Sequence, residues 1–164
     1  MALLEEKKQE DIDNLREKAN EYWDTDKCRY FDLLIEAWNL YPEPKDNWNE
    51  AYSLAKELFT AYLLDADFSN AKKWLNAMIA NNNKLRHSYG DLEFNIGKYK
   101  FETGLYREAL EYFMIATKEG GGVRYFEDED KKYREFYKSP EKIQAGLTRG
   151  RNKTEVRLKY EFVK

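Results

Sequence analysis

Gly104-Leu105-Tyr106-Arg107-Glu108-Ala109, followed by Leu110, Phe113 and Ala116, is the stretch that decides the fold. Glycine suits the left-handed position that closes a helix, so Gly104 reads as an ending and Tyr106 as a new start. On the new helix the large Tyr106 and Phe113 alternate with the small Ala109 and Ala116 at three- and four-residue spacing, one apolar face. The same arrangement stands 38 residues upstream as Ala66-Asp67-Phe68-Ser69-Asn70-Ala71. Further upstream, Tyr30 takes the place of Ala71 and Ala109. Leu34, Ala37 and Pro42 follow it in register with Phe113, Ala116 and the loop beyond.

Working outward, the absence of glycine before Gly90 and the confinement of early prolines to Pro42 and Pro44 leave long windows free of helix breakers. A first helix is predicted over Asp13 to Trp23 and a second over Lys27 to Tyr41, the latter carrying Tyr30, Phe31, Leu34, Ala37 and Trp38 on one face and ending at Tyr-Pro-Glu-Pro. A third runs from Asp46, with Trp48, Ala51, Tyr52, Ala55, Leu58, Phe59 and Tyr62 as a broad apolar face. A fourth follows Asp65-Ala66-Asp67, with Asn81-Asn82-Asn83 as its polar stop. A fifth covers Ser88 to Thr103, and a sixth begins at Tyr106 and closes at Gly120-Gly121-Gly122. A short seventh lies near Asp128 to Lys138, ended by Ser139-Pro140. In contrast, Thr154 to Val163 alternates Val156, Leu158, Tyr160 and Phe162 with polar residues, the period of a strand. The expectation is an all-α stack of about three antiparallel hairpins plus a short C-terminal helix over residues 1–139, then a basic, extended or strand-like tail over 140–164.

Composition narrows the function. One cysteine, Cys28, and one histidine, His87, leave a Cys/His metal site or a Cys-His nucleophile pair short of parts. His87 reads as an exposed loop histidine and Cys28 as a tolerated small residue. The triple glycine follows a helix, not a strand, and lacks the Gly-Lys-Ser/Thr ending of a phosphate loop, so it reads as a cap and flexible connection. Glu127-Asp128-Glu129-Asp130 suits a helix start better than a calcium loop. No enzymatic activity, cofactor or metal is therefore expected. No apolar run approaches the ~20 residues of a membrane helix, and the start Met-Ala-Leu-Leu-Glu-Glu-Lys-Lys lacks a signal peptide's apolar stretch, so a cytoplasmic protein is expected.

With Ile96-Gly97 ahead of Gly104, Tyr106, Ala109, Phe113 and Ala116, the chain resembles the tetratricopeptide repeat superfamily over about Asp13 to Glu119. The fit departs at Glu93 and Lys100, at Phe59 where a small residue is usual, and in a period longer than the family's ~34 residues. The resemblance implies that the first helix of each unit lines a concave face. It reads across to Leu15, Ala19, Tyr22 and Trp23, then Lys56, Thr60, Leu63 and Leu64, then Asp91, Phe94, Lys98, Phe101 and Glu102. From Gly121 to Lys138 the chain also resembles small bacterial repeat proteins encoded beside polymorphic toxins of the Rhs and type VI secretion kind. Their role is immunity, the neutralising of a toxin inside the cell that makes it.

Charge bears on the partner. Lys131 to Lys164 holds 11 basic and 4 acidic residues, leaving 17 basic and 27 acidic before it, so a net charge of −3 conceals an acidic body and a basic end. An acidic body disfavours nucleic acid and steers a basic protein toward it. The expected partner is a toxin domain with a basic surface. The candidate contact residues are Tyr22, Trp23, Lys56, Thr60, Phe94, Lys98, Glu102, Arg124 and Tyr125. The alternative is a general adaptor or chaperone that holds a peptide segment in the groove.

Overall fold

The computed structural model describes residues 4–87, 90–119 and 122–142. Among these the chain is all-α, built from adjacent helices paired into hairpins: α1 (Glu6–Asn20) with α2 (Lys27–Leu40), α3 (Asn49–Leu64) with α4 (Phe68–Leu85), and α5 (Asp91–Glu102) with α6 (Tyr106–Glu119). A short helix, α7 (Lys131–Lys138), follows a 3-10 turn at Val123–Phe126. No helix among the described residues is long and apolar enough to cross a membrane. The strand expected at Thr154 to Val163 lies outside the described residues.

The 38-residue repeat is visible in the hydrogen bonds. The turn after α3 is closed by the Asp65, Ala66 and Asp67 amides donating to the carbonyls of Ala61, Leu63 and Tyr62. The turn after α5 repeats this with Thr103, Gly104 and Leu105 donating to Tyr99, Phe101 and Lys100. Both turns place one residue in the left-handed region, Ala66 at φ 58° and Gly104 at 80°. Aspartates open three helices by side-chain capping: Asp26 accepts from the Arg29 amide, Asp67 from Asn70 and Asp130 from Lys132. At Gly97 a Cβ would stand 2.7 Å from the Phe113 ring, so the small residue is what lets α5 and α6 approach. At the equivalent positions of the preceding hairpin stand Phe59 and Leu75, both buried. Large and small have exchanged sides across the seam.

Several helix boundaries differ from the sequence expectation: α1 ends at Asn20 and not at Trp23, and α3 starts at Asn49 and not at Asp46. Helix α1 also begins at Glu6, well before Asp13; its first turns carry no apolar period to announce them, and Ile12 and Ala19 are its only buried residues. Helix α4 runs through Asn81-Asn82-Asn83 to Leu85. Asn81 is buried there and donates from Nδ2 to the Trp48 carbonyl at 2.8 Å, and Arg86, at φ 52°, makes the stop instead. Helix α5 starts at Asp91, after Gly90 at φ 92°, whose amide donates to the Glu93 carboxylate. Val123–Phe126, directly after the triple glycine, forms a 3-10 turn that buries Phe126.

The core divides into two clusters. The first joins α1 to α4 and reaches Leu92, and is rich in leucine and alanine. The second gathers Phe94, Phe101, Phe113, Phe126, Tyr133 and Phe136 around the last hairpin and α7. Aromatic residues make up 16% of the sequence, and many of them are gathered here: Phe113 lies within 6.4 Å, centroid to centroid, of Phe94, Phe126, Tyr133 and Phe136. Helix α7 falls where a further first helix would begin, one repeat after α5, and caps the stack with the faces of Tyr133 and Phe136.

Candidate functional site

The first helices of successive hairpins are cross-linked by charged pairs. From α1, Arg16 reaches α3, donating from Nε and Nη2 to Glu57 Oε2 at 2.9 and 2.8 Å. From α3, Lys56 Nζ lies 2.6 Å from Asp91 Oδ1 of α5, and Tyr52 donates its hydroxyl to Asp91 Oδ2 at 2.7 Å. Beyond α5, Lys98 Nζ meets Glu129 Oε1 at 2.6 Å, and Glu102 accepts from the Tyr133 hydroxyl and the Lys132 ammonium, each at 2.6 Å. On α5 these groups sit at 91, 98 and 102, with the polar Asn95 between them, the spacing of one helix face.

Along this edge lie two open cavities that share Lys56, together the groove of the first helices. One, of about 590 Å³, is lined by Arg16, Asn20 and Trp23, by Tyr30, and by Ser53, Lys56, Glu57, Thr60, Ala61 and Leu64. Leu64 is 69% exposed, a large apolar side chain left at its rim. The other, of about 400 Å³, is lined by Lys56, Asp91, Phe94 and Asn95, by Arg124 and Tyr125 of the 3-10 turn, and by Asp128 and Glu129.

Five of the nine candidate residues line these cavities, Trp23 and Thr60 the larger, Arg124 and Tyr125 the smaller, and Lys56 both. Phe94 also borders the smaller one but is 2% exposed and serves as its floor, stacked on Tyr125 at 5.3 Å and 21°. Tyr22 is half-buried against the first cluster. Lys98 is 2% exposed, so it cannot meet a partner as a surface cation. Burial pulls its ammonium below the ordinary 10.5, against the opposing pull of Glu129. Glu102 is occupied in holding α7. Of the wider first-helix set, Ala19, Leu63 and Phe101 are likewise core. The helices are rotated so that this stripe faces inward between hairpins.

Sequence reasoning missed Arg16, Glu57, Asn95, Asp128 and Glu129. For Asn95 a signal existed in the polar stripe Asp91, Asn95, Lys98, Glu102 along an otherwise apolar helix. His87, expected as an exposed loop residue, is half-buried. It stacks on Tyr52 at 4.4 Å, and its Nε2 meets Asn81 Oδ1. Burial holds its imidazole below the ordinary 6.5, partly countered by Asp91. Cys28 is exposed. Among the described residues, no group of three or more His, Cys, Asp or Glu is placed to hold a metal ion. Comparison with protein-family models, curated proteins and solved structures finds no match to this chain.

Proposed function

We propose that this chain is a non-enzymatic, protein-binding helical repeat that acts by covering a protein partner along the groove of its first helices. The observation that carries the reading is the pair of open cavities that meet at Lys56, one with Trp23 in its wall and the other with Tyr125, each lined by charged groups as well. Aromatics half-exposed beside fixed charges are the composition of an interface, where a few desolvated rings supply affinity and charge supplies approach rate. The acidic balance of residues 1–130 supports a partner with a basic surface.

The sharper form of this reading is a cytoplasmic immunity protein for a secreted toxin, which rests on the resemblance at Gly121 to Lys138. Co-expression with the product of the adjacent gene tests it: immunity requires a stable complex and relief of toxicity. A chain that instead binds short extended peptides, with no folded partner, is the adaptor or chaperone of the alternative. In either case Trp23→Ala and Lys56→Glu are expected to abolish capture without loss of helix content. Capture that survives both changes removes the groove from the account.

A further inference from the structure

The smaller cavity is bordered by a buried residue, one polar atom of which is left unmatched among the described residues. Asn95 is 1% exposed and borders this cavity. Its Nδ2 donates to the Asp91 carbonyl at 2.8 Å, which fixes the amide's orientation, and its Oδ1 has no hydrogen-bond partner among the described residues. A buried acceptor left unpaired is destabilising, so a guest that brings it a donor is favoured over one that does not.

The geometry points to this cavity as the receptacle for an arginine side chain presented by the partner, an inference that rests on the protein-binding reading above. Three features select the guanidinium. The carboxylates of Asp128 and Glu129 stand at the cavity wall; Glu129 is taken up by Lys98, whereas Asp128 has no ion pair among the described residues and is the one left to meet a guest cation. The basic groups nearby are largely spent: Lys56 is held by Asp91 and Lys98 by Glu129, leaving Arg124 on the exposed rim. The Tyr125 ring, backed by Phe94, offers a flat wall of the kind on which a guanidinium plane stacks.

The Tyr125 hydroxyl is raised above its ordinary value, chiefly by burial and then by Asp91 and Glu93. A guanidinium carries five donors in a planar fork, enough to serve Asn95 Oδ1 and a carboxylate together, which a single ammonium on a flexible stem does less well. An anion brings only acceptors and would set them against Asn95 Oδ1. A neutral amide would match Asn95 but leave Asp128 uncompensated.

The test titrates the intact chain with Nα-acetyl-arginine amide, followed by the Asn95 side-chain and Tyr125 resonances, beside the citrulline and lysine analogues. Saturable binding in the millimolar range is expected. Removal of a hydrogen bond to a charged group is expected to weaken binding by about tenfold for citrulline and for Asn95→Leu. Asp128→Asn, at an exposed position, should weaken it several-fold and remain folded if Asn95→Leu does not. No saturation, equal binding of citrulline, or indifference to Asp128→Asn would overturn the inference. Because the probe needs no partner, such a failure leaves groove capture standing if Trp23→Ala and Lys56→Glu still abolish it.

Discussion

Ala66 adopts the left-handed conformation that its repeat equivalent, Gly104, adopts freely. A Cβ there costs about 1–2 kcal/mol, partly offset in Gly by its larger chain entropy, so Ala66→Gly is expected to stabilise the protein by about 0.5–1 kcal/mol in urea unfolding. Gly97 presents the opposite case. Phe113 is wedged by four other rings and cannot retreat from a new methyl group, so Gly97→Ala overpacks the seam. Overpacking costs about 1–3 kcal/mol and alanine's helix propensity returns about 1, leaving a net loss. Adding Phe113→Leu, the size that the preceding hairpin uses at Leu75, should recover part of it, and strict additivity of the two changes would argue against the swap. His87 sets a pH dependence. Its folded value lies below 6.5, so it contributes stability that is present above 6.5 and lost as pH falls through the folded value. Unfolding measured between neutral and mildly acid pH should therefore show a steeper fall for the native chain than for His87→Phe, and parallel curves would contradict the burial argument.

Helix α7 has eight residues, too few to persist alone, and is held by Tyr133 and Phe136 in the second cluster and by the carboxylate of Glu102. Glu102→Gln weakens both the Tyr133 and the Lys132 contact, and hydrogen exchange in α7 should accelerate several-fold while α1 to α4 keep their protection. Equal acceleration throughout would mean that α7 is not a separable cap. The elements most legible in the sequence were α2 through α6, where apolar residues recur because each helix buries a stripe against its partner. Helix α1 was read short because charged residues occupy its first turns. The end of α4 was misplaced because Asn81, polar by type, is buried and satisfied by the Trp48 carbonyl, a contact 33 residues away that no local pattern announces. The groove followed the same division. Trp23, Lys56 and Tyr125 were accessible to register arguments, whereas Asp128 and Glu129 reach it only through the chain's turn after Phe126.

At the scale of the molecule, two clusters meet where α4 packs on α5, and their unequal composition predicts unequal stability. Phe113→Ala removes the ring at the centre of the second cluster, a change that costs about 3–5 kcal/mol in buried sites. Exchange protection should then disappear from α5 to α7 while α1 to α4 remain protected, as nearest-neighbour coupling in a stack allows. A single cooperative loss would show that the seam couples more strongly than this division implies. The acidic balance of residues 1–130 carries its own expectation: capture of a basic partner should slow markedly as salt is raised, with little change in dissociation. The exchange of sizes between Phe59 with Leu75 and Gly97 with Phe113 has a further consequence for anyone treating the hairpins as building blocks. A chimera that sets α5 against α4 would face Gly97 with Leu75 and open a void, and one that sets α3 against α6 would drive Phe59 into Phe113. The units share a blueprint but are keyed, so only whole hairpins can be transplanted.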